Sequence, residues 1–142
     1  MIKSKALDDR LGCGIMLELL QGKSKFNYTC VFTVQEEVGT RGATASAYTV
    51  KPDYAIVIET TTASDIPDTP ENKKVCRVGN GAVVSFMDRG TIYNKDLYKK
   101  AREIADKNGI ANQTKTVVAG GNDAAAIHKA VGGIKTIAIS LP

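Results

Sequence analysis

Apolar strand-like runs alternate with helix-like segments along the whole of this chain. Residues 54–58 form a continuous apolar run, as expected for a central strand of a parallel sheet, and residues 136–141 form a second strand-like run. Strands that alternate with helices are typical of an α/β protein, because each helix returns the chain so that the next strand can lie parallel to the last. The pattern therefore predicts an α/β fold with a mixed, mostly parallel sheet.

Hydrophobic periodicity places the individual elements. Strands are predicted at residues 26–35, 54–58, 82–87, 113–118 and 136–141. Helix-compatible segments lie at residues 9–21, 39–48, 94–107 and 124–131, and a long loop lies at residues 60–80. The first helix is apolar around most of its circumference, which predicts that it is buried, and Asp8 or Asp9 can cap its start. Asn94 is the predicted N-cap of the most amphipathic helix, and Gly109 its stop.

The composition is that of one ordinary globular domain and argues against a nucleic-acid-binding protein. The 142 residues are 43% hydrophobic and 24% charged, which is enough apolar material to bury a core. The net charge is +4, but the basic residues are scattered, and the densest group is interleaved with acids on a predicted helix (Lys95, Lys99, Lys100 and Arg102). A nucleic-acid surface wants clustered cations on one face, often with stacking aromatics. We therefore expect no nucleic-acid partner.

The cysteines and the lengths of the apolar runs bear on the cellular compartment. Cys13, Cys30 and Cys76 are odd in number and none lies in a Cys-x-x-Cys pair, which argues against a disulfide framework or a thiolate zinc site. No apolar run reaches the ~18 residues of a membrane span, and the sequence shows no signal peptide. We expect a cytoplasmic protein without membrane contact.

Acidic residues stand where predicted elements begin or end. Asp8 and Asp9 open the first helix. Glu36 and Glu37 directly follow one apolar strand, and Glu59 directly follows another. Ligands of open α/β sheets bind outside the carboxyl ends of the strands, so these carboxylates are expected to converge there. Converging carboxylates repel one another unless cations or protons neutralise them, and divalent metal ions do so well.

Two interpretations of these acids stay open at this point. Taken singly, Asp8 and Asp9 can be a helix cap, and Glu36 and Glu37 can belong to a solvated loop. Taken jointly, the acids form a metal site, in which one carboxylate of the Glu36–Glu37 pair binds metal and its neighbour accepts a proton from metal-bound water.

Three longer motifs resemble those of one family of metallopeptidases. Residues 5–12 read KALDDRLG, residues 34–43 read VQEEVGTRGA, and residues 118–128 read VAGGNDAAAIH. The first two are close to the ALDDRxG and QEEVGxRGA segments of the tetrahedral (TET) glutamyl and deblocking aminopeptidases, and the third resembles their DAxAIH helix. Many members of that family carry the label endoglucanase or cellulase. The resemblance runs from Lys5 to Pro142.

This resemblance implies a fold, an activity and an assembly. Family members have a phosphopeptidase-like, three-layer α/β/α sandwich with a small β-barrel domain inserted before the Asp-Asp-Arg segment. Residues 1–142 would then be a single domain, the C-terminal portion of such a catalytic domain, with the N-terminal segment and the inserted barrel absent. Members remove N-terminal residues from peptides with two divalent metal ions, Zn²⁺ or Co²⁺, and whole members form dodecamers. We expect a peptide substrate and a homo-oligomer, because open sheet edges invite pairing.

The resemblance also implies a role for each acid. Asp8 resembles the carboxylate that bridges both metals, Glu36 the general base, and Glu37 a ligand of one metal. Glu59 resembles the terminal carboxylate ligand of the other metal, at a place where many relatives have Asp.

Two neighbours of Asp8 resemble supporting residues. Asp9 shares the constrained Asp-Asp peptide, and Arg10 can pair with a neighbouring acid.

Histidine is where the chain departs from the family. The family's two histidine ligands lie outside the segment that the resemblance covers, and His128 is the only histidine here. We expect His128 on a helix surface, with metal binding as the alternative. The chain by itself is expected to bind metal weakly and to hydrolyse peptides little or not at all. Two other functions stay open: an inactive truncated remnant, and an endoglucanase that uses Glu36 and Glu59 as acid and nucleophile.

Overall fold

The computed structural model describes residues 2–142, and its centre is a four-stranded sheet. The strands in chain order are β1 (Tyr54–Thr60), β2 (Ala82–Val84), β3 (Asn112–Gln113) and β4 (Lys135–Leu141). Their spatial order is β1-β4-β2-β3, with β1 parallel to β4, β2 parallel to β3, and β2 antiparallel to β4. The α/β class and the mixed, mostly parallel sheet expected from the sequence are confirmed.

β4 is an interior strand and carries much of the core. It pairs with β1 along its whole length and with β2 on its other side. Thr136, Ile137 and Ala138 of β4 are buried. A strand enclosed in this way shows little polar alternation in its sequence. Both β4 and its edge neighbour β1 form close to where their apolar runs predict them.

The most amphipathic helix forms as predicted. α3 (Lys95–Lys107) begins after Asn94, whose side-chain oxygen accepts hydrogen bonds from the backbone N–H groups of Asp96 (3.2 Å) and Leu97 (3.0 Å). These bonds satisfy N–H groups that have no partner within the helix. α3 packs against β2, β3 and β4, and the chain leaves it through Gly109, at a φ of +65° that favours glycine.

Two shorter helices lie over the β1–β4 pair. α2 (Arg41–Val50) packs against α4 (Ala124–Ile127), and α4 also contacts β1 and β4. Ala55 and Val57 of β1 pack against the two buried clusters beneath these helices, which are Ala47 with Ala130 and Ile134, and Tyr93 with Ala124 and Ala138. Glu59 lies on the same face of β1, since alternate residues of a strand share a face.

α1 (Leu7–Gln21) forms at its predicted place but is not buried. The backbone angles of its first acids are non-helical, so the regular helix begins after Asp9. Leu17, Leu19 and Leu20 are about half exposed, at 53%, 52% and 49%. The predicted burial of this apolar helix is wrong, because α1 rests on β1 and the other described residues do not cover its remaining faces.

Residues 26–35 belong to no helix or strand of the described chain, and Gln35 has a φ of +59°, so the strand predicted there is wrong. Phe26, Tyr28, Phe32 and Val34 are between 44% and 82% exposed. A strand needs a partner that offers a matching row of backbone N–H and C=O groups. The sequence has the right periodicity, but residues 2–142 place no strand edge beside this segment.

Smaller differences concern the lengths of elements. β2 ends at Val84 rather than at residue 87, β3 has two residues where a longer strand was predicted, and the helix predicted at 124–131 divides into α4 and a 3₁₀ turn at Ala130–Gly132. The long loop contains a 3₁₀ turn at Glu71–Lys73. In the part of the chain that is described, every helix is too short or too polar to traverse a lipid bilayer.

Candidate active site

A cleft of about 1550 Å³ opens between α1, the irregular residues 26–33 and β1. Apolar side chains from these three segments form much of its wall. All the acids singled out in the sequence line this same cleft: Asp8, Asp9, Glu36, Glu37 and Glu59. Three further carboxylates also line it: Glu18, Asp53 and Asp123.

Asp8 and Asp9 stand where the chain enters α1. The peptide bond between them is cis, and Asp9 Oδ1 accepts a hydrogen bond of 3.0 Å from the backbone N–H of Gly12. This bond is a helix cap of the predicted kind, and Asp9 makes it. A Cβ at position 12 would lie 2.7 Å from Asp9 Oδ1, so any larger residue there would displace the Asp9 carboxylate from this position. Asp8 remains exposed and lines the cleft.

Glu36 and Glu37 lie in a turn that joins residues 26–35 to α2. The Glu36 carbonyl oxygen accepts a hydrogen bond of 2.9 Å from the N–H of Thr40, and the Gly42 N–H donates to the Val34 carbonyl oxygen at 3.0 Å. A Cβ on Gly42 would lie 2.6 Å from that oxygen, so the close approach requires glycine. The turn leaves Glu36 half-buried and Glu37 exposed, both lining the cleft.

Glu59 belongs to β1 itself, where it pairs with Ser140 of β4, rather than following the strand as predicted. β1 extends past its predicted end because its backbone hydrogen bonds to β4 continue, and the Thr61 N–H donates to the Leu141 carbonyl oxygen at 2.8 Å. Glu59 Oε1 accepts a hydrogen bond of 3.2 Å from Asn122 Nδ2. The half-buried carboxylate therefore sits at the carboxyl end of β1, the edge where ligands of open sheets bind.

Burial raises the pKa of Glu59 to about 8. The positive charge of Lys115 and the hydrogen bond from Asn122 oppose this rise, and the negative charges of Glu36 and Asp8 add to it. A carboxylate removed from water without a compensating cation holds its proton more tightly, so Glu59 is poorly neutralised by the residues around it.

The neighbouring acids are shifted in the same direction. Burial raises the pKa of Asp9 to about 6, against the hydrogen bond from Gly12, and the charge of Asp8 raises it further. Burial also raises the pKa of Glu36, and the charge of Asp123 is the next largest cause. The negative charge of one cleft carboxylate therefore raises the pKa of another.

The cleft acids have no ion-pair partner among residues 2–142. The ion pairs of that range join two bases to two acids in the long loop, Lys74 and Arg77 to Asp65 and Glu71. Arg10 lines the cleft, but it forms no ion pair with any described acid, so the pairing expected for it is not made.

The donor chemistry of the cleft fits a divalent cation. Carboxylate oxygens bind Zn²⁺ and related metal ions, and a cation here would offset both the cost of burying these carboxylates and the repulsion between them. Over residues 2–142, however, no group of three or more His, Cys, Asp or Glu side chains is arranged to hold a metal ion. The acids share a cleft without forming a ready-made coordination sphere, and metal binding by Asp8, Glu37 and Glu59 stays a prediction.

Two further candidates lie in the third motif, and the sequence had given neither a role. Asp123 is 7% exposed, and its Oδ2 accepts a hydrogen bond of 2.6 Å from Thr33 Oγ1. Its Oδ1 is buried and finds no partner within the described chain. Asn122 is 2% exposed and reaches Glu59. The sequence pattern that could have identified both residues is a polar pair inside a run of glycine and alanine residues.

His128 is not among the residues that line the cleft. It lies half-buried at the end of α4, with its ring Nδ1 2.7 Å from the Ala124 carbonyl oxygen. This placement matches the structural interpretation and gives no support to a role as a metal ligand.

The chain is similar to known aminopeptidases over its full length. The sequence model of a family described as M42 glutamyl aminopeptidase matches residues 1–142. The glutamyl aminopeptidase of Lactococcus lactis subsp. cremoris is 33% identical over 144 residues, which cover 99% of this chain and 39% of that protein.

Solved structures give the same picture. Aminopeptidase APDkam598 from the archaeon Desulfurococcus kamchatkensis is 36% identical with a TM-score of 0.92, over 98% of this chain and 40% of that one. The TET1 peptidase of Pyrococcus horikoshii is 34% identical with a TM-score of 0.75, over 96% of this chain and 40% of that one. That peptidase can assemble into a tetrahedron or a large octahedral shell. The chain spans about two fifths of the length of the curated relatives that it matches.

Proposed function

The chain belongs to the M42 glutamyl aminopeptidase family, and we propose that it supplies the acidic part of the active site of a metal-dependent aminopeptidase. Such an enzyme hydrolyses the first peptide bond of a peptide that has a free N-terminus. One observation carries the proposal: Asp8, Glu36, Glu37 and Glu59 line a single cleft and have no ion-pair partner among the described residues.

We propose that Asp8, Glu37 and Glu59 help to hold two divalent ions, Zn²⁺ or Co²⁺. When bound, such ions polarise the scissile carbonyl group and activate a water molecule. The chemistry of the residues supports this assignment, since three carboxylates from three separate segments line one cleft. The burial of the Glu59 carboxylate, which outweighs the opposing effect of Lys115, supports it further.

Glu36 is the proposed general base. It is half-buried in the cleft, and the hydrogen-bonded turn that follows it fixes its backbone next to Glu37. In the reaction, Glu36 accepts a proton from the attacking water while the new C–O bond forms. It then returns that proton to the nitrogen of the leaving amine as the C–N bond breaks. The apolar walls of the cleft, built by α1, residues 26–33 and β1, are the proposed place for the side chains of the peptide.

Metal binding and hydrolysis together test this function. We expect the chain to bind Co²⁺ in a calorimetric titration and Glu59→Gln to weaken that binding. The matched control is Glu103→Gln, which makes the same chemical change on the exposed face of α3 and is expected to leave binding unaltered. If the unaltered chain binds no Co²⁺, or if Glu59→Gln binds it equally well, the proposal is wrong.

Hydrolysis is followed with leucine p-nitroanilide and with its N-acetylated form. We expect only the free amine to be hydrolysed, in a reaction that EDTA stops, and we expect a slow rate because the described residues hold no complete metal cluster. Robust turnover would contradict that slowness. Metal binding without any turnover would favour an inactive remnant, and EDTA-insensitive hydrolysis of cellulose would favour an endoglucanase.

We also propose that the chain self-associates in the cytoplasm. The outer edge of β1 is unpaired among residues 2–142, and several leucines of α1 are exposed, both of which favour association. Cys13, Cys30 and Cys76 are free thiols, which fits a reducing compartment. Sedimentation velocity tests the first part, and a monomer at micromolar concentration would contradict it.

A further inference from the structure

A buried amide contacts the Glu59 carboxylate from the protein interior. Asn122 is 2% exposed, and its Nδ2 lies 3.2 Å from Glu59 Oε1 and 2.9 Å from Tyr93 Oη. An amide nitrogen carries two hydrogens, so each of these acceptors can take one of them. Asn122 therefore joins the cleft to the buried core.

The orientation of this amide is fixed by the backbone. Asn122 Oδ1 accepts a hydrogen bond of 2.8 Å from the N–H of Ala124. A backbone N–H can only donate, so the amide oxygen must face Ala124 and the nitrogen must face Glu59. A flipped amide would lose the bond to Ala124 and would turn its oxygen against the carboxylate.

The hydrogen bonds continue from Asn122 to a second buried acid. The Tyr93 hydroxyl donates to Asp88 Oδ2, while Asp88 Oδ1 accepts bonds of 2.8 Å from the N–H groups of Gly90 and Thr91. Asp88 and Tyr93 are 4% and 3% exposed. A buried polar network in which the groups satisfy one another is stiff, so Asn122 has a firm support behind it.

We propose that Asn122 is a positioning residue that holds the Glu59 carboxylate in the orientation needed to bind metal. This inference rests on the proposed function, in which Glu59 is a ligand. Asn122 donates to Oε1 and leaves Oε2 without a hydrogen-bond partner in the described chain, and that oxygen is therefore available to a cation. Groups that hold a metal ligand in place are commonly worth about 10–100-fold in metal affinity.

The competing role for Asn122 is purely structural. Through Oδ1 it satisfies the backbone N–H of Ala124 at the start of α4, and loss of that bond could disturb the fold without any action on Glu59. A double-mutant cycle separates the two roles, because a residue that acts through Glu59 has no effect once the Glu59 carboxylate is gone.

The experiment measures Co²⁺ affinity by calorimetry for the unaltered chain, Asn122→Ala, Glu59→Gln and the double variant. We expect Asn122→Ala to weaken binding by about 10–100-fold in the unaltered background. In the Glu59→Gln background we expect the same change to alter affinity by no more than about twofold, the error of additive behaviour. Ser85→Ala is the control, since Ser85 is fully buried and its hydroxyl has no partner among the described residues.

Each outcome has one meaning. An equal loss of affinity in both backgrounds, or no loss in the unaltered one, overturns the positioning role and leaves the proposed function intact. No Co²⁺ binding by the unaltered chain, or equal binding by Glu59→Gln, overturns the proposed function and this inference with it.

Tyr93→Phe keeps the test decisive if circular dichroism shows that Asn122→Ala does not fold. This change retains the ring and removes the hydroxyl that accepts from Asn122. Asp88 Oδ2, at 3.3 Å from Asn122 Nδ2, remains as a weaker acceptor. We expect a smaller loss of Co²⁺ affinity that again disappears in the Glu59→Gln background. An unchanged affinity, or a loss that persists in that background, overturns the inference.

Discussion

The acids of the long loop and the acids of the cleft meet opposite surroundings. In the loop, Asp65 and Glu71 pair with Lys74 and Arg77. The hydrogen bond from Arg77 lowers the pKa of Asp65, and the hydrogen bond from Lys74 lowers the pKa of Glu71.

In the cleft, burial and neighbouring negative charges raise the pKa values instead. Glu36, Glu59 and Asp9 are all shifted upwards, and the described residues give them no ion pair. The acids of the loop have basic partners, whereas the cleft acids have none among residues 2–142. The difference supports the proposal that the cleft acids bind a cation. Four predictions test that proposal, three of them by matched changes in both regions.

The largest effect is expected for Glu36→Gln. This change removes the proton acceptor, so hydrolysis of leucine p-nitroanilide by the Co²⁺-loaded chain should fall by about 10²–10⁴-fold, while Co²⁺ affinity is retained. Glu71→Gln makes the same change in the loop and should leave the rate unaltered. A Glu36→Gln variant with the original rate would remove Glu36 from the mechanism.

The second effect concerns metal binding. Loss of a group that supports a metal ligand typically weakens metal binding by about 10–100-fold. Glu59→Gln removes the proposed ligand itself, so it should weaken Co²⁺ binding by at least that factor. Glu71→Gln, which changes an acid that already has basic partners, should change the affinity little. Equal losses in the two calorimetric titrations would erase the distinction between cleft and loop.

The third effect is on the melting temperature, which the same change from Asp to Asn should raise in the cleft and lower in the loop. Burial raises the pKa of Asp123, so its charge destabilises the fold, and Asp123→Asn should raise the melting temperature at pH 8 by roughly 2–4 °C. That gain is complete above the folded pKa and disappears as the pH falls below the unfolded value of about 4, because the carboxyl is then protonated in both states. Asp65→Asn should instead lower the melting temperature at pH 8. Calorimetry of both variants without metal measures the two signs, and a shared sign would contradict the comparison.

The smallest effect is expected for Arg77→Gln. The lowered pKa values of Asp65 and Glu71 contribute stability that is present above the unfolded values near pH 4. That stability is lost as the pH falls through the lowered folded values. Arg77→Gln should therefore reduce the melting temperature slightly at pH 7, less so at low pH, and less in 1 M NaCl, which screens exposed pairs. A loss that is independent of pH and salt would show that Arg77 acts by packing.

Local patterns of the sequence were sufficient for much of the fold and for the acids of the cleft. Asn94 caps α3 as predicted, because a cap is decided by residues two and three positions away. β1 and β4 form at their apolar runs. Glu59 reaches the cleft at the carboxyl end of β1, as expected for an open sheet. Glu36 and Glu37 also reach it, but from a turn that follows no strand of the described sheet.

What the sequence could not give depends on distant partners. Residues 26–35 have the periodicity of a strand, but whether they pair is decided by an edge elsewhere in the chain. The exposure of α1 has the same cause. Asn122 and Glu59 are separated by 63 positions, and Asn122 and Tyr93 by 29, so no local pattern announces their contact.

Crystals of the chain soaked in Co²⁺ and measured at the cobalt absorption edge give the most direct test of the cation site. We expect an anomalous difference peak in the cleft, at about 2.0–2.2 Å from carboxylate oxygens of Asp8 and Glu59. A cobalt peak at Asp65 and Glu71 of the loop, with none in the cleft, would contradict it.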